Sequence, residues 1–328
     1  MREGIALTAF TERGRALAQR LAVSLNGTPR TNENLADWTQ AQFKTCEALI
    51  FVGAAGIAVR AIAPYIESKA ADPAVVCVDE CGRWAIPLLS GHLGGANALA
   101  RKLATLTGGE AVITTATDLN KLFAVDLWAK RQNMAVLNPE RIKTVSAKIL
   151  RGEDVTIDCP FFISGDAPEH VYLSSPGEVL VSYRAEETDA LQLVPRVLTL
   201  GVGCKRGMGA DTLEAAFRKF CTERNICPQA IATAASIDLK RDETGLLAFC
   251  ESHGWPLRFY SAGKLQGLTG NFTVSAFVES VTGVDNVCER AALLCAGGRL
   301  IEKKYVSCGV TFATAERYVN YNWSWQNG

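Results

Sequence analysis

Histidine is scarce, with three in 328 residues, and neither these nor the cysteines fall into the paired spacing of a zinc site, so no structural metal is expected. Excess charge is also missing. Lys plus Arg number 34 and Asp plus Glu number 34, so no broad field draws the chain to nucleic acid or an anionic membrane. That balance still permits a small anion to be held by a few local arginines and backbone amides. No apolar run is long enough to cross a bilayer, and the opening residues 4–10 read as a short strand rather than a secretory signal. Internal repeats and low-complexity segments are absent too. The 11 cysteines are scattered through apolar segments of a long chain, which favours reduced thiols over a disulfide framework and the cytoplasm as compartment.

What is present is an alternation of short apolar strands with longer helical patterns, the arrangement of α/β domains on largely parallel sheets. Strands are expected at residues 4–10, 48–52, 74–78, 111–115 and 134–137, all in one first sheet. Helices are expected after Thr11, over 57–66 with Pro64 ending or kinking it, over 94–106, and over 119–132 behind an Asp118 cap. Between 151 and 196 the helical period disappears, and short strands at 155–157, 171–173 and 179–183 are separated by Pro and Gly. A strand at 197–202, a helix near 212–224 and a strand at 230–235 open a second α/β unit. The expected organisation is an amino-terminal α/β domain (1–138), a small linking region (139–195) and a carboxyl-terminal α/β domain (196–328). The polar, aromatic residues from Tyr318 read as a loose tail.

Chemistry-bearing residues gather in two places. After the strand at 74–78 come Asp79 and Glu80, then Ser90, Gly91 and His92, then Gly94, Gly95 and Asn97 at a helix start. A glycine-rich turn of this kind directs backbone amides at an anion or a developing oxyanion. His92 is suited to general acid–base work near neutral pH or to contact with a metal carried by a substrate, and a plain loop histidine is the bland alternative. Asp79 and Glu80 are its candidate partners, with solvated or capping roles as their alternative. Asn97 has a competing role in bracing the turn.

The second place is Gly201, Gly203, Cys204, Lys205 and Arg206, between a strand and a helix, where amides and two cations suggest a carboxylate or phosphate cradle. Solvated cations and a small buried thiol are the bland readings of Lys205, Arg206 and Cys204. A dinucleotide fingerprint would want glycine where Arg206 stands and an acid nearer than Asp238.

Residues 50–60, Asp79-Glu80, the string from Ser90 to Asn97, and Thr114-Thr115-Ala116-Thr117-Asp118 occur in an order that resembles the amino-terminal region of the cobalamin biosynthesis protein CbiG family. Residues 201–207, Ser236 to Lys240, Gly283-Val284, and Val287 to Ala292 with Lys303 and Lys304 resemble its carboxyl-terminal region. The resemblance covers most of the chain and is weakest in the linking region. It implies an enzyme that opens the lactone of a cobalt-containing, contracted-ring tetrapyrrole, cobalt-precorrin-5A, with release of acetaldehyde. The cobalt would arrive with the substrate, so no cofactor of the protein's own is implied. The roles within that reaction come from local chemistry and not from the resemblance: His92, helped by Glu80 or Asp79, is expected to move protons, amides near Gly94 and Gly95 to stabilise charge, and the Gly201–Arg206 turn to anchor substrate carboxylates. Ser90, Gly91, Asn97, Thr115 and Asp118 complete the expected substrate site. A homodimer and transient contacts with neighbouring pathway enzymes are the expected protein partners. A tetrapyrrole carrier and a nucleotide-dependent oxidoreductase are the readings from other classes.

Overall fold

The computed structural model describes residues 2–68, 71–91, 94–115 and 122–325, and divides into two compact units. The first comprises residues 1–130, 146–153 and 325–328. Its sheet has the order β2-β1-β3-β4-β5-β6. The strands β3 (Ala48–Val52) and β4 (Ala74–Val78) are unbroken apolar runs and β1 (Ile5–Ala9) is broken only by Thr8, the pattern of strands covered on both faces. They run parallel to one another and to the two-residue edge strand β2 (Thr28–Pro29).

Helix α1 (Glu12–Leu25) starts at Thr11, whose side chain accepts from the Gly14 amide at 3.0 Å, and turns Leu17, Ala18, Leu21 and Leu25 to the sheet. This is the i, i+4, i+8 stripe that periodicity leads one to expect. On the opposite face α2 (Leu35–Thr45) and α3 (Ala55–Ile62) enclose Trp38, Phe43 and Phe51, with Trp38 edge-on to Phe51 at 6.0 Å. The short 3-10 turn Ala63–Tyr65 with its Pro64 closes α3, as expected.

One strand of this sheet departs from the expected pattern. β5 (Trp84–Leu89) runs antiparallel to β4, so residues 79–83 close a hairpin instead of leading from a strand into a helix. Only then come α4 (Ala96–Thr107), on the same face as α1, and β6 (Glu110–Ala111).

The second unit comprises residues 131–145 and 154–324. The region between the two expected domains builds its own sheet, in the order β10-β8-β11-β12-β7. β7 (Met134–Val136) pairs antiparallel with β12 (Leu191–Pro195), so the strand expected to finish the first sheet belongs here. β8 (Val155–Asp158), β10 (Val171–Leu173) and β11 (Val179–Val181) fall where short strands are expected.

The last sheet has the order β15-β14-β13-β17-β16. Its strands β13 (Leu198–Cys204), β14 (Ile231–Ile237) and β15 (Leu257–Tyr260) are parallel. β16 (Arg299–Ser307) and β17 (Val310–Glu316) form a hairpin whose second strand lies antiparallel to β13. The helices Ala210–Glu223 and Thr244–Ser252 pack Phe217, Phe220 and Phe249 around Phe312 on one face. The helix Cys288–Ala296 lies against Gly201 on β13, with Ala292 in the contact. The tail expected to be loose is tied down: Tyr321 and Trp323 are buried, and Tyr321–Asn322 pairs with Ile163–Ser164. Buried aromatic area, not polarity along the chain, decides this outcome. Among the described residues no helix is long and apolar enough to cross a membrane.

Candidate active site

In open α/β sheets ligands bind beyond the carboxyl ends of the strands, where the strand order reverses. In the first sheet that point is between β1 and β3. Four strand ends place Arg30 after β2, Phe10 and Thr11 after β1, Gly53 to Gly56 after β3, and Asp79 and Glu80 after β4. At about 4.8 Å per strand, the row from Arg30 to Glu80 extends about 14 Å.

Each member is held by local chemistry. Gly53 has φ +155, and a Cβ there would stand 2.8 Å from Phe10 Cδ2, so glycine lets the ring lie against the backbone. Ala54 precedes α3 and offers no side-chain cap to its first amides. Asp79 organises the hairpin: one carboxylate oxygen accepts from the Trp84 amide at 2.7 Å and the other from the Cys81 amide at 3.0 Å. The bland reading of Asp79 therefore accounts for both of its oxygens. Glu80 is half-buried and accepts from Thr11 Oγ1 at 2.6 Å, beside the positive end of the α1 dipole.

The Ser90–Asn97 turn is at the other end of the ladder. Val78 pairs with Ala85 and Val75 with Leu89, so Asp79 and Ser90 are separated by about five residues of strand, or about 17 Å. β5 carries the chain back along β4 before the turn begins, so Asp79 and Glu80 stand at the opposite end of the ladder from Ser90.

The turn itself is tightly made. Ser90 (φ 57) donates from Oγ to the Asp72 carbonyl at 3.1 Å, and its own carbonyl accepts from the Ala96 amide at 3.1 Å. A Cβ on Gly94 would stand 2.3 Å from Ser90 Cβ, and one on Gly91 would stand 2.9 Å from Asn97 Oδ1. Those two glycines serve the turn's own packing. Asn97, buried, donates to Thr115 Oγ1 at 2.9 Å, so Thr115 is brought to the turn that carries Ser90, Gly91, Gly94, Gly95 and Asn97. Sequence reasoning missed Lys130, whose Nζ would lie 3.2 Å from a Cβ on Gly95. His92 and Asp118 lie outside the described residues.

At the carboxyl edge of the last sheet the expected cradle is already filled. Glu243 is buried at the start of its helix, where one carboxylate oxygen accepts from the Gly207 amide and the other from Lys240 Nζ at 3.2 Å. Burial alone raises the Glu243 pKa. The Gly207 amide, Lys240 and Arg206 outweigh it and hold the carboxyl below its ordinary range. Arg206 turns its guanidinium to Asp242 at 3.1 Å and to the Leu239 carbonyl at 3.3 Å.

Gly201 and Gly203 are packing glycines. A Cβ on Gly201 would stand 1.8 Å from the Cys288 carbonyl, and one on Gly203 would stand 2.5 Å from Thr311 Oγ1. A dinucleotide has no access to a glycine covered this closely by a helix. Burial pushes the Cys204 thiol up from its ordinary pKa, more than nearby Lys240 draws it down, which suits an inert thiol rather than a nucleophile. Lys205 donates its amide to the Gly309 carbonyl at 3.4 Å. Lys240 and Glu243 are visible in the sequence only as charges near element ends. No spacing rule links Glu243 to an amide 36 residues earlier.

Two family models match the chain: Cobalamin synthesis G N-terminal over residues 37–118, and Cobalamin synthesis G C-terminus over residues 198–315. A cobalt-precorrin-5A hydrolase of Salmonella typhimurium is 34% identical over 342 residues, covering 94% of this chain and 96% of that protein. Its counterpart in Priestia megaterium is 33% identical over 299 residues, covering 83% and 79%. A solved structure of a cobalamin biosynthesis protein G homologue from Sulfolobus solfataricus aligns at 24% identity with a TM-score of 0.41, over 95% of this chain and 97% of that one. Matched by models of both its ends and by full-length relatives above 30% identity, the chain belongs to the CbiG family of cobalamin biosynthesis.

Proposed function

We propose that the chain is a cobalt-precorrin-5A hydrolase: it opens the substrate lactone with water and releases a two-carbon fragment as acetaldehyde, giving cobalt-precorrin-5B. The observation that carries this reading is the 34% identity to a hydrolase of that name over 94% of this chain and 96% of the relative. Neither a carrier nor an oxidoreductase role finds comparable support, and the close cover over Gly201 speaks against a dinucleotide.

The chemistry needs a proton acceptor for water, a proton donor for the departing lactone oxygen, and a base for the freed hydroxyl as the carbon–carbon bond breaks. Glu80 is suited to all three in turn. Its carboxylate is half-buried, oriented by Thr11 Oγ1 at 2.6 Å, and set at the strand-end row that also bears the uncapped start of α3. The α3 amides would face the oxygen that gains charge when water adds to the carbonyl. Thr11 is a positioning residue in this scheme. Asp79 shapes the hairpin and does not touch the substrate.

Ser90 lies about 17 Å along the ladder from Asp79, and the Ser90–Asn97 turn is read as a second centre. There Ser90, Asn97 and Thr115 brace the turn, with Lys130 Nζ close to Gly95. The cobalt is carried by the substrate. Eleven reduced cysteines suit a cytoplasmic setting.

The deciding experiment is anaerobic incubation of the full chain with cobalt-precorrin-5A and mass analysis of both products. Acetaldehyde in equal amount to cobalt-precorrin-5B supports the reading. Tight binding with neither product formed replaces the hydrolase by a carrier.

A further inference from the structure

We propose that Arg30 anchors one carboxylate arm of the substrate. The proposal rests on the hydrolase reading and adds to it a binding residue that sequence reasoning leaves unmarked. Arg30 follows β2 at the end of the strand-end row opposite Glu80 and is half-buried. Its Nε donates to Thr8 Oγ1 at 2.8 Å, and its Nη1 to the Glu33 carbonyl at 2.6 Å. The guanidinium carbon lies 5.9 Å from the centroid of Phe10, the ring that Gly53 admits against the β3 end. Thr8 is 1% exposed, so a buried hydroxyl of the central strand is committed to aiming this one side chain.

All of these partners are neutral. Some fixed arginines of the chain meet carboxylates, Arg290 bidentate on Asp285 at 2.7 and 3.0 Å and Arg299 on Glu316 at 3.1 Å. Others such as Arg2 and Arg317 bond backbone carbonyls, and Arg30 differs from these in being tied to a buried side-chain hydroxyl at a strand end. Among the described residues no carboxylate pairs with Arg30, and neither hydrogen on its Nη2 is bonded.

A partly dehydrated guanidinium held by neutral acceptors has its direction fixed and its charge unanswered. A planar fork in that state matches a carboxylate in two parallel hydrogen bonds, and little rotamer freedom remains to be lost when one arrives. A tetrapyrrole substrate brings several carboxylate arms. Arg30 is fixed on Thr8 of β1 and the Glu80 carboxylate on Thr11 just beyond the same strand, so an arm held by Arg30 leaves the rest of the macrocycle at the edge that bears Glu80. The competing explanation is a purely structural clamp on the loop that carries Glu33. Such a clamp would affect folding without regard to the charge of the ligand.

The test uses the full chain, wild type and Arg30→Gln, with two probes: cobyrinic acid, a cobalt corrin with free carboxylate arms, and its methyl ester. Arg30→Gln is expected to weaken binding of the acid and raise KM for cobalt-precorrin-5A by about 10- to 100-fold, with kcat within about threefold, the size of a lost charge-assisted pair. Binding of the ester should be unchanged. Acid binding and KM within about twofold of wild type, or equal losses for acid and ester, overturn the proposal. Should Arg30→Gln not fold, Arg30→Lys keeps the charge and removes the fork. Wild-type acid binding and KM in that variant overturn the proposal in the same way. If wild type discriminates acid from ester and the variant does not, while no acetaldehyde is ever released, the hydrolase reading falls and the anchor stands. Normal turnover with an unmoved KM in Arg30→Gln removes the anchor alone.

Discussion

In the second unit the chain supplies its own anions: Glu243 takes the Gly207 amide, and Glu289, fully buried, takes the amides of Thr273 at 3.0 Å and Lys304 at 2.7 Å. At the carboxyl edge of the first sheet, among the described residues, no side chain caps α3, Glu80 meets only a hydroxyl, and Arg30 meets only neutral acceptors. A carboxylate buried on backbone amides contributes about 1.5–3 kcal/mol per charged hydrogen bond, and those amides are then lost to any ligand. Asp79 commits its oxygens to the hairpin amides in the same way, but Glu80 and Arg30 give up that stability and keep their capacity to bind. The contrast assigns rigidity to the Gly201–Gly209 side and chemistry to the row from Arg30 to Glu80.

The strongest way to break this contrast is Gly201→Ala. The added Cβ would stand 1.8 Å from the Cys288 carbonyl and 2.9 Å from Ala292 Cβ, so a helix must move, at a cost of about 3 kcal/mol or more. Thermal unfolding should show it as a large drop in melting temperature. An unaltered melt accompanied by weaker substrate binding would make Gly201 a ligand glycine after all. Glu80→Gln should do the opposite: kcat for acetaldehyde release falls about 100-fold or more, while the melt barely changes. Parallel assay of His92→Ala shows which of the two centres carries the proton transfers, and wild-type turnover in Glu80→Gln would move the chemistry to the Ser90–Asn97 turn.

Glu243→Gln comes next, with an expected loss of about 2 kcal/mol at neutral pH, since it leaves Lys240 mostly buried beside a neutral amide. The sign of its pH dependence follows from a folded pKa held below the ordinary value. The wild-type advantage is complete above about pH 4.3, the unfolded glutamate value, and disappears as pH falls through the lower folded value. Denaturant melts of both proteins should therefore converge in acid. A gap of constant size down to pH 2 would mean that the carboxylate charge contributes nothing.

Much of this arrangement is legible in the amino-acid sequence. The apolar runs of β1, β3 and β4, the Thr11 cap and the Leu17, Leu21, Leu25 stripe each follow from local periodicity, and the glycine string does mark the cluster of Ser90, Asn97 and Thr115. β5 is not legible, since Pro87 interrupts it and Trp84 is exposed, so it shows no alternation; without it, Glu80 falls wrongly beside Ser90. Partner choice is hidden for a different reason. Which carboxylate takes the Gly207 amide is settled by packing between segments far apart in the chain. Arg30 sits in a polar stretch, Thr-Pro-Arg-Thr-Asn-Glu-Asn, that reads as a solvated loop until Thr8 is seen beneath it.

The finest test is Arg206→Gln, set against Arg30→Gln. Both arginines follow a parallel strand, and both are open to a substrate-anchoring role on charge alone. Arg206 lies on the surface and its charge is answered by Asp242, whose carboxyl the guanidinium holds below the ordinary range. An exposed pair of this kind is screened by water and salt and contributes little to stability. A substrate carboxylate arriving there would have to displace Asp242, recovering only the difference between two similar contacts, whereas at Arg30 it displaces no anion. Arg206→Gln should therefore leave the melting temperature unchanged and raise KM by no more than about threefold, against about 10- to 100-fold for Arg30→Gln. Equal KM shifts in the two variants would show that an answered guanidinium binds as well as an unanswered one, and the difference drawn between the two edges would no longer predict where the substrate lies.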